Sequence, residues 1–179
     1  MWIRRLAAIA ALLAIGLVFL AVSGVTDPSK SKDKPGIKKE LNWLKFDEGL
    51  KQASANNELI FINVYTNWCG FCKKMDRETF SDKKIINYLD EHFVPVKLNA
   101  ESKKKMVLPA GSYSGRQLAR SFAVRGYPTF VFLKSNGEKI YARSGYAPSN
   151  GFIYLLRYVA EGHYESKSLR EYITEVSAN

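Results

Sequence analysis

The sequence predicts an α/β domain with a central mixed β-sheet flanked by helices, and three stretches carry that reading. Leu59–Tyr65 is an apolar run with the length and composition of a buried strand. It leads through Trp68-Cys69-Gly70-Phe71-Cys72 into residues 73–80, a run of mostly good helix formers without Gly or Pro. Further on, Asn136-Gly137 is a strong hairpin signal between the apolar run Thr129–Leu133 and residues 139–143. The last two strands are therefore antiparallel.

Taken in order, the chain opens with Met1-Trp2-Ile3-Arg4-Arg5 and an apolar run over residues 6–22, the layout of an export signal. Residues 1–25 are assigned as a signal peptide or a membrane anchor. Ala21-Val22-Ser23 offers small residues for cleavage, while the apolar run reaches the lower length limit of a membrane span. Arg4 and Arg5 argue for a cytoplasmic N-terminus, and the five lysines after the run (Lys30, Lys32, Lys34, Lys38, Lys39) argue against it. The signal-like layout and the cysteine pair decide for an extracytoplasmic, periplasmic location. Residues 26–40 are polar and Lys-rich, without apolar periodicity, and are expected to be a flexible linker.

The folded domain is expected over residues 41–160. Leu41, Trp43, Leu44 and Phe46 supply its first apolar anchors, followed by a short helix over 47–57 and the strand at 59–65. After the cysteine helix, Ser81 or Asp82 caps a second helical piece that turns Ile85, Ile86 and Leu89 inward. Residues 93–98 make the next strand, with Pro95 at an edge or a strand start. Residues 100–114 are expected to form a polar loop. A helix over 116–123, the hairpin strands and a helix over 148–160 complete the domain, and residues 161–179 add a C-terminal helical extension.

Cys69 and Cys72 are the only two cysteines among 179 residues. A cysteine in the first turn of a helix faces unpaired backbone N–H groups and the positive end of the macrodipole, both of which stabilise a thiolate. Its pKa can fall from about 8.5 into the range of roughly 3.5 to 7.5. Cys72 is one helical turn on and within disulfide reach. It can attack a mixed disulfide at Cys69 and release the partner, so the pair cycles between dithiol and disulfide.

The order of elements resembles the thioredoxin fold, and particular residues carry the likeness. Trp68-Cys69-Gly70-Phe71-Cys72-Lys73 resembles the thioredoxin active-site motif with Phe71 in place of its usual proline. Val124-Arg125-Gly126-Tyr127-Pro128-Thr129-Phe130 resembles the segment that carries the family's cis-proline, which falls on Pro128. Lys97-Leu98-Asn99 matches a strand end with a buried lysine near the active site, and Gly145 the glycine after the hairpin. The style is similar to exported thioredoxin-like proteins and to the C-terminal domain of transmembrane disulfide reductases.

The resemblance implies a thiol-disulfide oxidoreductase that reduces disulfides of extracytoplasmic proteins. Cys69 attacks, Cys72 resolves, and Trp68, Gly70, Phe71, Lys97, Tyr127 and Pro128 support them. It further implies a protein disulfide as substrate and an upstream thiol donor, such as a membrane disulfide reductase, with membrane contact if the leader is retained. No cofactor is implied. Where thioredoxin carries a buried Asp, this chain has Asn63, which cannot take a proton. The resolving step then falls to water, Lys97 or a carboxylate such as Glu101.

Other readings use the same residues. A disulfide oxidase or isomerase needs the same pair. A copper or zinc carrier would use Cys69 and Cys72 as soft ligands, but the only histidines, His92 and His163, sit where a helix end and a turn are expected. A redox-inert adaptor would keep the fold alone. Nucleic-acid binding is excluded by pattern: the net charge of +10 is spread, with no basic stripe interleaved with aromatics.

Overall fold

The computed structural model describes residues 40–178, so the leader and nearly all of the linker lie outside the described residues. The order is α1 (Phe46–Asn56), β1 (Leu59–Tyr65), α2 (Gly70–Glu78), α3 (Lys83–His92), β2 (Phe93–Asn99), β3 (Lys105–Leu108), β4 (Gly111–Ser114), α4 (Gly115–Ser121), β5 (Thr129–Leu133), β6 (Lys139–Ser144), α5 (Ser149–Ala160), a 3-10 turn (His163–Glu165) and α6 (Leu169–Ser177). None of these helices is long and apolar enough to cross a membrane.

The main sheet runs β2-β1-β5-β6, with β1 parallel to β2 and the other pairs antiparallel. Alternation along the strands divides the core in two. Phe61 on β1 joins Phe93, Phe130 and Phe132 on the face covered by α2, α3 and α5. Ile60, Ile62 and Val64 join Val94, Val96 and Leu98 on the face covered by α1 and α4. Phe61 is the hub of the first face, with the rings of Phe80, Phe93, Phe130, Phe132 and Phe152 centred 5.4 to 6.4 Å away.

Pro95 sits on β2, an edge strand of this sheet. Its carbonyl accepts the Leu44 N–H at 3.0 Å from the segment lying along that edge, so its missing donor costs no ladder bond. Gly49 of α1 packs so closely on β2 that a Cβ would strike the Val96 side chain.

Residues 100–114 differ from the polar loop expected of them. They contain a hairpin, β3 paired antiparallel with β4 in a separate two-stranded sheet. The three lysines Lys103, Lys104 and Lys105 mask a short period-two pattern in which Met106 and Leu108 turn inward and Lys105 and Val107 outward. Met106, Leu108 and Tyr113 pack on the core face of α1 and α4, and Gly111, at a φ of +131°, opens β4. The C-terminal extension also differs in detail, since a 3-10 turn at His163–Glu165 precedes α6.

Asp82 caps α3 by accepting the Lys84 N–H at 2.8 Å. The Ser149 hydroxyl and the backbone N–H groups of α3 hold its carboxyl below the usual value of 3.8. A depressed carboxylate stabilises the fold above its unfolded-state pKa, and that contribution is lost as pH falls through the folded value. Asp82→Ala is expected to destabilise the protein by about 1 kcal/mol at neutral pH. In denaturant titrations the gap between the two proteins narrows as pH falls below the unfolded-state value of about 3.9 and closes through the lower folded-state one.

Candidate active site

The cysteine pair is placed by the end of β1. Beyond Tyr65 the chain turns, and Cys69 N–H donates to the Thr66 carbonyl at 3.2 Å. The turn is pinned to the end of β2: the Asn67 N–H donates to Glu101 Oε2 at 2.8 Å, and Asn99 Nδ2 donates to Asn67 Oδ1 at 3.3 Å. Ala100 N–H closes the junction onto the Tyr65 carbonyl at 2.9 Å.

Cys69 is the N-cap of α2, and its Sγ accepts the Cys72 N–H at 3.0 Å. That bond is stronger to a thiolate than to a thiol, because one partner is then charged. Cys69 and Cys72 are joined as a disulfide, with Cα atoms 5.3 Å apart. Both are nearly inaccessible, at 4% and 3%, whereas Trp68 and Phe71 beside them are 69% and 61% exposed. Gly70 has open space where a Cβ would stand.

Two aromatic pairs flank the disulfide. Trp68 meets Tyr127 edge to face at 5.7 Å. The Tyr127–Pro128 peptide is cis, and the segment is tied down by Gly145 N–H donating to the Pro128 carbonyl at 2.8 Å and by Thr129 Oγ1 donating to the Gly126 carbonyl at 2.6 Å. On the other side Phe71 lies 6.2 Å from Tyr146. Tyr146 in turn spans α2, its hydroxyl donating to Glu78 at 2.8 Å and its ring lying under Lys74 Nζ at 4.5 Å. The Glu78 bond pushes the Tyr146 phenol above its usual pKa. Phe71, which lacks the rigidity of proline, is thus packed against a residue fixed to its own helix.

Beneath α2 the sheet carries a polar island. Asn63 on β1 lies between Lys97 on β2 and Phe130 on β5 in the strand register. Its side chain is fully buried, and neither Oδ1 nor Nδ2 has a partner among the described residues. Lys97 Nζ donates to both oxygens of Asp76 at 2.8 and 2.9 Å and lies over the rings of Trp43 and Tyr65.

Two residues named from the sequence for the resolving proton are committed elsewhere. An ammonium bound to Asp76 has no lone pair to offer, and Glu101 holds the turn before the motif. Asp76, which sequence reasoning passed over, is the carboxylate on the helix face of Cys72. Its signal was its spacing: residues four apart on a helix are neighbours. Tyr146 was missed as well, and only its place after Gly145 pointed to it. The His92 ring lies tilted against Tyr88 at 4.2 Å and His163 Nε2 lies 3.0 Å from Glu161, both on elements other than those that carry the cysteines. No group of three or more His, Cys, Asp or Glu able to hold a metal occurs among the described residues.

A Cys-x-x-Cys disulfide at the head of the helix after a central strand, facing a cis X-Pro loop, defines a thioredoxin-like redox domain. The chain belongs to the thioredoxin-like domain family, whose pattern it matches over residues 46–160. Among curated proteins it is 26% identical over 117 residues to the thiol:disulfide interchange protein DsbD of Photorhabdus laumondii, covering 65% of this chain and 18% of that protein. It is 28% identical over 122 residues to a protein disulfide-isomerase of Zea mays, covering 68% and 22%. The chain thus spans about a fifth of the length of these relatives. A solved thioredoxin-fold protein from Helicobacter pylori superposes with a TM-score of 0.59 at 25% identity, covering 69% of this chain and 86% of that one.

Trp68 is exposed, so its removal separates docking from folding. Trp68→Ala is expected to change stability by no more than about 0.5 kcal/mol. It is expected to raise KM for a disulfide-bonded peptide several-fold, read in steady-state reduction assays alongside thermal unfolding.

Proposed function

We propose that this protein is an extracytoplasmic thiol-disulfide oxidoreductase that reduces disulfides in other proteins. The observation that carries the reading is the Cys69–Cys72 disulfide, closed across the first turn of α2 with the Cys72 N–H aimed at Cys69 Sγ. In the dithiol form the Cys69 thiolate attacks one sulfur of a substrate disulfide. The substrate's S–S bond breaks, its leaving thiolate takes a proton from solvent, and a mixed disulfide to Cys69 forms. Cys72 then loses its proton and attacks Cys69 Sγ, the mixed bond breaks, and the second substrate thiol departs. Two electrons pass to the substrate, and the protein is left as the Cys69–Cys72 disulfide. An upstream dithiol, of the kind a membrane disulfide reductase presents, returns the electrons.

The resolving proton needs an internal acceptor, because Cys72 is buried at 3%. Asn63 cannot serve. Asp76, four residues on along α2 and held by Lys97, is the carboxylate best supported for the task, and at 40% side-chain exposure it can pass the proton to solvent. The pair Trp68 and Tyr127 supports an extended substrate chain lying against the cis-proline loop, where main-chain pairing gives affinity. The layout proposed for the whole chain is a signal or anchor over 1–25, a linker over 26–40, the redox domain over 41–160 and a helical extension over 161–179. Location outside the cytoplasm rests on the leader's layout. The match to protein disulfide-isomerases favours one second reading, isomerisation of mispaired disulfides with the same two thiols.

Cys69→Ala is expected to abolish thiol transfer, while Cys72→Ala accumulates a mixed disulfide with substrate visible on non-reducing gels. A fully active Cys69→Ala protein contradicts the mechanism. Asp76→Asn is expected to slow resolution by about a hundredfold near neutral pH while leaving the initial attack unchanged. Stopped-flow measurement of the two phases checks this, and Asn63→Asp in the Asp76→Asn background is expected to restore part of the rate.

A further inference from the structure

From Ser102 to Gly137 the chain carries Lys103, Lys104, Lys105, Arg116, Arg120, Arg125 and Lys134 without a single Asp or Glu. The first six are exposed. The seventh, Lys134, pairs with Glu138 just past the stretch, and Lys45, Lys74, Lys97 and Lys167 pair with Glu48, Glu78, Asp76 and Glu175. None of the six is in an ion pair among the described residues.

The fold brings the start of this stretch to the end of the sheet from which the cysteine turn departs. The start of α4 lies against the segment before β3: the Arg116 N–H donates to the Ser102 carbonyl at 3.2 Å, and a Cβ on Gly115 would strike the Asn99 carbonyl oxygen. Lys104 and Lys105 line a cleft of about 250 Å³ together with Lys45, Tyr65 and Asn99. Tyr65 and Asn99 are the last residues of β1 and β2, the end of the sheet from which the cysteine turn departs. At the other end of the stretch, Arg125 precedes by two residues Tyr127, the ring on which Trp68 rests. Asp47 is the one carboxylate lining that cleft, against four lysines, Lys45, Lys97, Lys104 and Lys105, while Glu101 and Asp76 are taken by the Asn67 N–H and by Lys97.

Like charges held together repel, and with no internal partner they add nothing to the fold. We propose that the flank formed by the β3–β4 insertion, α4 and the chain leading to Pro128 is a docking surface for an acidic protein segment, which it steers onto Cys69. This rests on the oxidoreductase reading and names the substrate class of that site. A polypeptide suits the surface better than an anionic membrane does. Arg125 lies two residues before Tyr127, which meets Trp68 beside Cys69, so a bilayer lying on that end of the surface would cover the approach to Cys69.

The test uses the full-length protein in its dithiol form and two disulfide-bonded peptides that differ only in carrying Glu or Gln on both sides of the disulfide. At about 20 mM salt the Glu peptide is expected to be reduced about tenfold faster in second-order rate, an advantage that shrinks toward parity as screening rises at about 300 mM. The combined variant Lys103→Glu, Arg116→Glu, Arg120→Glu is expected to lose the preference and keep the wild-type rate on the Gln peptide. Equal wild-type rates on the two peptides at low salt overturn the proposal, and that comparison stands even if the variant fails to fold. A preference that survives in the folded variant also overturns it. Binding to phosphatidylglycerol vesicles without any peptide preference overturns it in favour of a lipid partner. If the Gln peptide is not reduced at all, the oxidoreductase reading itself falls, and this proposal with it.

Discussion

The hydrogen bond from the Cys72 N–H to Cys69 Sγ is the constraint on which the rest of the structure turns. It requires Cys69 to be the N-cap of α2, and that requires β1 to end where it does. β1 is fixed in depth by its fully buried stretch from Ile60 to Val64 and by the aromatic cluster around Phe61. The ends of β1 and β2 then tie the intervening turn through Glu101, Asn67 and Asn99. The reactive sulfur is thus delivered by the packing of the sheet, and the turn that carries it has little freedom of its own.

Around that point the protein departs at two positions from the thioredoxin pattern that its sequence resembles. Phe71 stands where a proline would stiffen the helix start, and Tyr146 packs against it while bonded to Glu78 further along α2. Asn63 stands where a buried carboxylate would take the resolving proton, and Asp76 offers a carboxylate on the helix side of the same layer. In the proposed mechanism the acid stands on the helix and not on the strand, with Lys97 beside it. There it is partly exposed, where a charge is cheaper to keep than in a core.

Most of this was legible in the sequence because it rests on local signals. The strand at 59–65, the cap at Ser81 or Asp82 and the Asn136-Gly137 hairpin each announce themselves within a few residues, and the cysteine spacing points to dithiol–disulfide chemistry. The β3–β4 hairpin was not legible, since four-residue strands give few alternations and the lysines at 103–105 resemble a solvated loop. Asp76 and Tyr146 were hidden for a different reason. Their contacts are with distant elements, one with Lys97 on β2 and one with a helix residue 68 positions earlier in the chain. Such pairings leave no periodic trace.

The direction of electron flow is the central claim, and the equilibrium reduction potential of the Cys69–Cys72 pair tests it most directly. It can be read from thiol trapping of the full-length protein in defined redox buffers. The account predicts a value near about −270 mV, that of a disulfide reductant. A value near about −120 mV, that of a strong oxidant, would mean that the pair makes disulfides in its substrates and would contradict it.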